Sequence, residues 1–189
     1  MARLRNFGIV LVLGLMVVSG NINALSVVEV SEEQLTHKAE MIVIGKVLSA
    51  YSEREERSGD IVTFITVRVT DQIKGKHRSE EITVKTFGGR TGDEIMFFPG
   101  AADFFRNEEV LLFLERGSDQ NLIPIGLMLG KYSIYRDSQT GKKIVLRHAD
   151  GNGQYFSTPR EEKIYVEPDK RMFLNEFRAR IENIVGNGR

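Results

Sequence analysis

Histidines and carboxylates are the residues from which most hydrolytic and metal chemistry is built, and this chain spreads them out. His37, His77 and His148 stand in three different segments, and no two share the spacing that would put them on one face of a helix around a metal. They read as surface or strand histidines. The run Glu53, Arg54, Glu55, Glu56, Arg57 offers paired carboxylates, but acid-base work needs two carboxyl groups in different environments, and a solvated hairpin tip keeps them alike. Asp150, Asn152, Gln154 and Glu161 fall at positions 1, 3, 5 and 12 of a calcium-type loop, with Tyr155 where the sharp turn needs glycine. Gly88, Gly89 and Gly92 lack the following Gly-Lys-Ser/Thr of a phosphate loop and mark a turn instead. With no GxSxG, no cysteine and no metal cluster, the expectation is a protein without catalytic residues, metal or cofactor. A hydrolase would need Glu94 or Asp103 to converge with His148 in the folded chain.

Recognition chemistry stands out more. MFFPGAADFF, residues 96–105, places four of the eleven phenylalanines in a connection that holds Pro99 and Gly100. Loops are mostly polar, so these rings either plug one end of a barrel or stay outside as an apolar contact patch. Phe98 and Phe104 are the two to watch. The charged hairpin with Glu53, Arg54, Glu55 and Glu56 is the second candidate contact.

The elements that must position these groups follow from periodicity. Arg3 and Arg5 precede an apolar run from Phe7 to Val18, followed by small residues up to Ala24, the layout of a secretory signal peptide over residues 1–24. The run falls short of the roughly 20 residues that span a bilayer, so no membrane span is expected after cleavage, and without cysteine no lipoprotein anchor. A secreted or periplasmic location follows. Acidic and basic residues number 26 each and are interspersed, which leaves no basic stripe for nucleic acid.

Ser31-Glu-Glu-Gln is a capping box opening a short helix to about Glu40, with Leu35 and Ala39 inward. MIVIGKVLSAY predicts a strand buried on both faces and bent at Gly45; the alternation of Ile61, Ile65, Val67, Val69 and Ile73 predicts its hairpin partner. EITVKTF alternates with Ile82 and Val84 inward and Lys85 outward, GGRTGD breaks that strand, and EVLLFLE is apolar on both faces, as a central strand would be. Further β-structure is expected over 122–136, broken by Pro124, Gly126 and Gly130, and in KKIVLRH with Ile144, Leu146 and His148 on one face. A polar connection over 149–167 precedes a helix over 168–185, capped by Asp169, with Phe173, Phe177, Ile181, Ile184 and Val185 as its stripe. The fold class is therefore mainly β: a small five- or six-stranded OB-like barrel over 25–148, with a short N-terminal helix and a C-terminal amphipathic helix. A sandwich is the competing architecture.

AEMIVIGKV, the charged link from Ser52 to Asp60, IKGK and EEVLLFL together resemble the netrin-like module, the OB-fold barrel shared by netrin C-terminal domains and the tissue inhibitors of metalloproteinases. The pattern is also similar to that of exported bacterial proteins. The resemblance spans roughly Leu25 to Leu146 and implies, first, the barrel. It also implies a zinc-peptidase inhibitor acting through its mature amino terminus: Leu25 would chelate zinc through its amino group and carbonyl, Ser26 would enter the adjacent pocket, and the Ser52–Asp60 link would be a second contact. Where that family begins with cysteine, this chain has Leu25. The leading expectation is an exported binding protein that recognises another protein through barrel-end loops; a metalloprotease inhibitor, a secreted hydrolase and a structural envelope protein are the alternatives.

Overall fold

The computed structural model describes residues 30–76, 79–147, 163–164 and 171–188. The leader, Leu25, Ser26, His77, His148, the calcium-like loop and Asp169 lie outside these residues.

The chain enters through helix α1, Glu32–Lys38, and the capping box forms as its sequence requires: Gln34 N–H donates to Ser31 Oγ at 3.1 Å and Ser31 N–H to Gln34 Oε1 at 3.0 Å. At the other end Lys74 Nζ donates to the Thr36 and His37 carbonyls at 2.7 and 3.1 Å, satisfying acceptors the helix cannot. Strand β1, Met41–Arg54, then pairs antiparallel with β2, Ile61–Lys74, with register shifts that include one between Ile44 and Gly45. A Cβ at Gly45 would stand 2.6 Å from the Arg68 carbonyl oxygen and from Val67 Cγ1, so only glycine lets the two strands close at this bend.

Strand β3, Glu81–Phe87, lies antiparallel to β2, and GGRTGD does more than break it: β4, Gly89–Thr91, and β5, Glu94–Met96, form a separate two-stranded hairpin. Strand β6, Glu109–Arg116, pairs with β1 along one edge; along the other it takes β7, Leu122–Pro124, which also meets β3 in parallel at Val84 and Leu122. Those contacts close a ring, β1-β2-β3-β7-β6, and exclude the sandwich. After a 3-10 turn, Leu127–Gly130, strand β8, Lys131–Asp137, continues along β6; it pairs with β9, Lys143–Arg147, and in parallel with β10, Lys163–Ile164. The result is the OB-like barrel expected from the pattern, with a sheet extension beyond it.

Two apolar cores share the same strands. Met41, Val43, Ile65, Val67, Val84, Leu112 and Leu114 fill the barrel. Ile42, Ile44, Leu111 and Phe113, on the opposite faces of β1 and β6, pack with Leu35, Tyr132, Phe177 and Ile181 against the helices. That explains why MIVI and VLLFL are apolar throughout. Helix α2, Leu174–Asn187, starts later than its pattern predicts. Val145 N–H donates to the Met172 carbonyl at 2.9 Å and Ile144 bridges Phe173, so those residues are held extended beside β9, and Phe173 is the N-cap instead of part of the stripe. In β9 both Ile144 and Val145 are buried, Val145 in the core beneath the helices and Ile144 on the other face beside Phe173, instead of a single inward face.

Candidate functional site

One end of the barrel is not closed by a helix. Its inward-facing positions there are Ala50 on β1, Thr63 and Ile65 on β2 and Thr86 on β3, and a groove of about 350 Å³ lies between them and the β4–β5 hairpin. The hairpin is tied down at its base. Gly88 N–H donates to the Ile61 carbonyl at 2.8 Å, Arg90 N–H to Ser52 Oγ at 3.3 Å, and Ile61 N–H to Met96 Sδ at 3.3 Å. Gly89, at φ 136°, lies so close to the strands that a Cβ would stand 2.3 Å from Thr63 Oγ1 and 2.4 Å from Ser52 Oγ.

The phenylalanine-rich connection divides between the two roles its sequence leaves open. Phe104 packs onto the barrel core, with Lys131 Nζ 5.0 Å from its ring centroid. Phe97 and Phe98 stay at the surface, 50% and 38% exposed, beside Ile95 at 72%. Phe98 stacks on Phe87 at 5.0 Å. Ala102 is buried, and its carbonyl accepts from Thr86 Oγ1 at 3.3 Å, so the loop is anchored at its middle and apolar at its rim.

Beneath Phe104 lies a polar cluster that alternation alone does not disclose. Glu108 Oε1 accepts from Lys131 Nζ at 2.8 Å and from Ser133 Oγ at 2.5 Å, and Glu108 Oε2 accepts from Phe105 N–H at 3.0 Å. The Lys131 and Glu108 side chains are only 6% and 5% exposed. Although Lys131 Nζ is also 3.3 Å from Ser133 Oγ, the serine proton is directed to a carboxylate already holding an ammonium. This arrangement fastens the loop carrying Phe104 and Phe105.

The charged hairpin is similarly committed. Lys85, on the outward face that its alternation predicts, is nevertheless buried: its Nζ donates to Glu55 at 2.5 Å and to Asp119 at 2.6 Å. The Lys85 hydrogen bond, aided by Asn121, holds the Asp119 carboxyl down at about 2. Glu55 is lowered by Lys85 and then by Ser58. Burial alone would lower Lys85, but its two carboxylates outweigh that and raise it. Arg54 bonds to the Gly59 carbonyl and to Glu94. Of Glu53, Arg54, Glu55 and Glu56, only Glu55 is half-buried; the other three are exposed, Arg54 while bonded as above.

The remaining candidates do not converge among the described residues. Glu94 is held by Arg54, Asp103 is exposed at the groove, and His37 lies 3.8 Å from Glu33 on the surface of α1. No group of three or more histidines or carboxylates placed to hold a metal occurs among the described residues, and no helix among them is long and apolar enough to cross a membrane. The described chain begins at Val30, whose carbonyl accepts from Arg147 Nη1 at 3.0 Å, on the register line Ile44–Leu111–Tyr132–Arg147. From that line β1 still has to run from Ile44 to Arg54 before the charged turn is reached.

No protein-family model matches the chain, and no curated protein matches its sequence. The fold and the site therefore define the class: a small OB-like barrel backed by two helices on one side, with an apolar mouth at an end the helices leave uncovered.

Proposed function

We propose that this is an exported, non-enzymatic protein that binds another protein through the loops at the barrel mouth. The observation that carries the reading is the rim itself. Ile95 and Phe97 line a largely apolar groove and, with Phe98 stacked on Phe87 beside it, stand exposed in the uncharged stretch Ile95–Ala102, although among the described residues the apolar runs of β1 and β6 are buried. Aromatic side chains beside a water-excluding pocket are the usual anchors of a protein interface. The leader-like start of the sequence supports export, and the tethered Glu108–Lys131–Ser133 and Glu55–Lys85–Asp119 clusters support a rigid frame around the mouth in place of a reacting centre.

A photo-crosslinking residue at position 97 of the mature chain, compared with one at Glu182 on the exposed face of α2, tests this in the native envelope and culture fluid. A discrete protein adduct from position 97, absent from position 182, is expected. No adduct, or the same adducts from both positions, would overturn the reading.

A further inference from the structure

Strand β5 leaves a backbone edge open at the rim of the groove. In the β4–β5 ladder Arg90 faces Ile95, and Arg90 N–H points away from β5, to Ser52 Oγ at 3.3 Å. In an antiparallel pair both members of such a non-hydrogen-bonded position turn their backbone groups outward. Ile95 N–H and C=O therefore face away from β4, and among the described residues β5 has no other strand beside it. A donor and an acceptor on one residue of an exposed strand are matched by another strand's backbone.

We infer that the partner presents an extended segment that pairs with β5 at Ile95 and places one apolar side chain at the groove; this rests on the protein-binding reading above. Residues directly opposite across a ladder share a face. The partner residue paired with Ile95 thus lies on the face of Ile95, which itself lines the groove with Phe97 and Phe104. The groove walls carry one charge of each sign, Arg90 and Asp103, so they favour no net charge in the segment. Size argues against a second copy of this chain. Aromatic side chains cover about 150–250 Å² each when enclosed, so the exposed parts of Ile95, Phe97 and Phe98 amount to on the order of 300 Å². A stable protein interface takes about 800 Å² from each side. A strand-like peptide needs less, because main-chain hydrogen bonds supply part of its affinity.

The probe is a phage library of random octapeptides selected on the mature chain, the best binder then being resynthesised with single backbone N-methyl groups at successive residues. Methylation of the residue paired with Ile95 is expected to weaken binding about tenfold, the loss of a hydrogen bond. Methylation of its immediate neighbours, whose N–H groups point away, changes binding less than about twofold. Ile95→Pro, which removes the outward donor, reproduces the loss, and Phe97→Ser with Phe98→Ser also weakens binding. If no methylated position matters while the phenylalanine variants still weaken binding, strand pairing is wrong and the protein-binding reading stands. If neither Ile95→Pro nor the phenylalanine variants weaken any selected binder, or none is selected, both fall. A dimer seen by sedimentation and dissociated by Ile95→Pro would seat a second copy on the edge and overturn the peptide.

Discussion

The helix-backed side of the barrel and its open mouth are built from the same strands yet use apolar residues in opposite ways. On the helix side Phe113, Tyr132 and Phe177 form a triangle with centroids 5.8, 4.8 and 6.4 Å apart, and Leu35, Phe177 and Ile181 are fully enclosed. At the mouth, Phe97 and Ile95 are at least half exposed while Lys131, Ser133 and the Glu108 side chain lie inside. Polar groups inside and apolar groups outside invert the usual arrangement, and each half of the inversion costs stability unless a partner compensates. The helix side thus supplies stability, and the mouth exchanges stability for surface.

Truncation at the centre of the helix side should have the largest effect. Phe177→Ala removes the ring that α2 inserts between Phe113 and Tyr132, and the enclosed site cannot collapse freely. The expected loss is about 4 kcal/mol in urea unfolding. A loss under about 1 kcal/mol would mean that α2 is dispensable and that the contrast between the two ends is false.

The charged turn is a region of its own, and acid titration separates it from both. Asp119 has its pKa lowered from 3.8 to about 2 by the Lys85 and Asn121 hydrogen bonds. A carboxyl whose folded pKa is depressed contributes stability that is complete above its unfolded pKa and disappears as pH falls through the folded one. The contribution should therefore be constant above about pH 4 and fade toward pH 2. Because its side chain is 32% exposed, solvent screening reduces the effect, and Asp119→Asn should cost about 1 kcal/mol at pH 7. The gap between variant and parent unfolding free energies should narrow as pH drops from 4 toward 2. A gap that stays constant with pH would assign the loss to shape instead of charge.

What the sequence discloses divides along the same boundary. The capping box at Ser31, the doubly apolar runs of β1 and β6 and the bend at Gly45 each follow from a local rule that the packed structure obeys. Lys85 breaks such a rule. Its alternation places it on the outer face, correctly, but that face is covered there by Glu55 and Asp119, brought from turns 30 and 34 residues away, and no local pattern reports a distant carboxylate. Glu108, Lys131 and Ser133 are hidden for the same reason: the partners lie 23 and 25 residues apart and meet only after β8 has run back along β6. The late start of α2 has a comparable cause, since Phe173 fits the helical stripe by spacing but is held by Ile144. At the mouth, composition flags the loop, while the division of its rings between core and rim depends on tertiary anchors at Ala102 and Gly88.

The smallest effect on folding is expected where the largest effect on binding is. Phe97 is half exposed, so replacing it with serine removes little buried area, and surface substitutions of that kind move stability by less than about 0.5 kcal/mol. If Phe97 were an unfinished part of the core, its loss would open a cavity and cost several times more, as at Phe177. Urea unfolding of Phe97→Ser beside Phe177→Ala therefore distinguishes a contact residue from a packing residue without knowledge of the partner. Equal losses in the two variants would make the mouth a second core. A neutral Phe97→Ser that removes the position-specific adduct would make the rim a surface kept apolar for something outside the chain, because folding alone gives no reason to keep phenylalanine there.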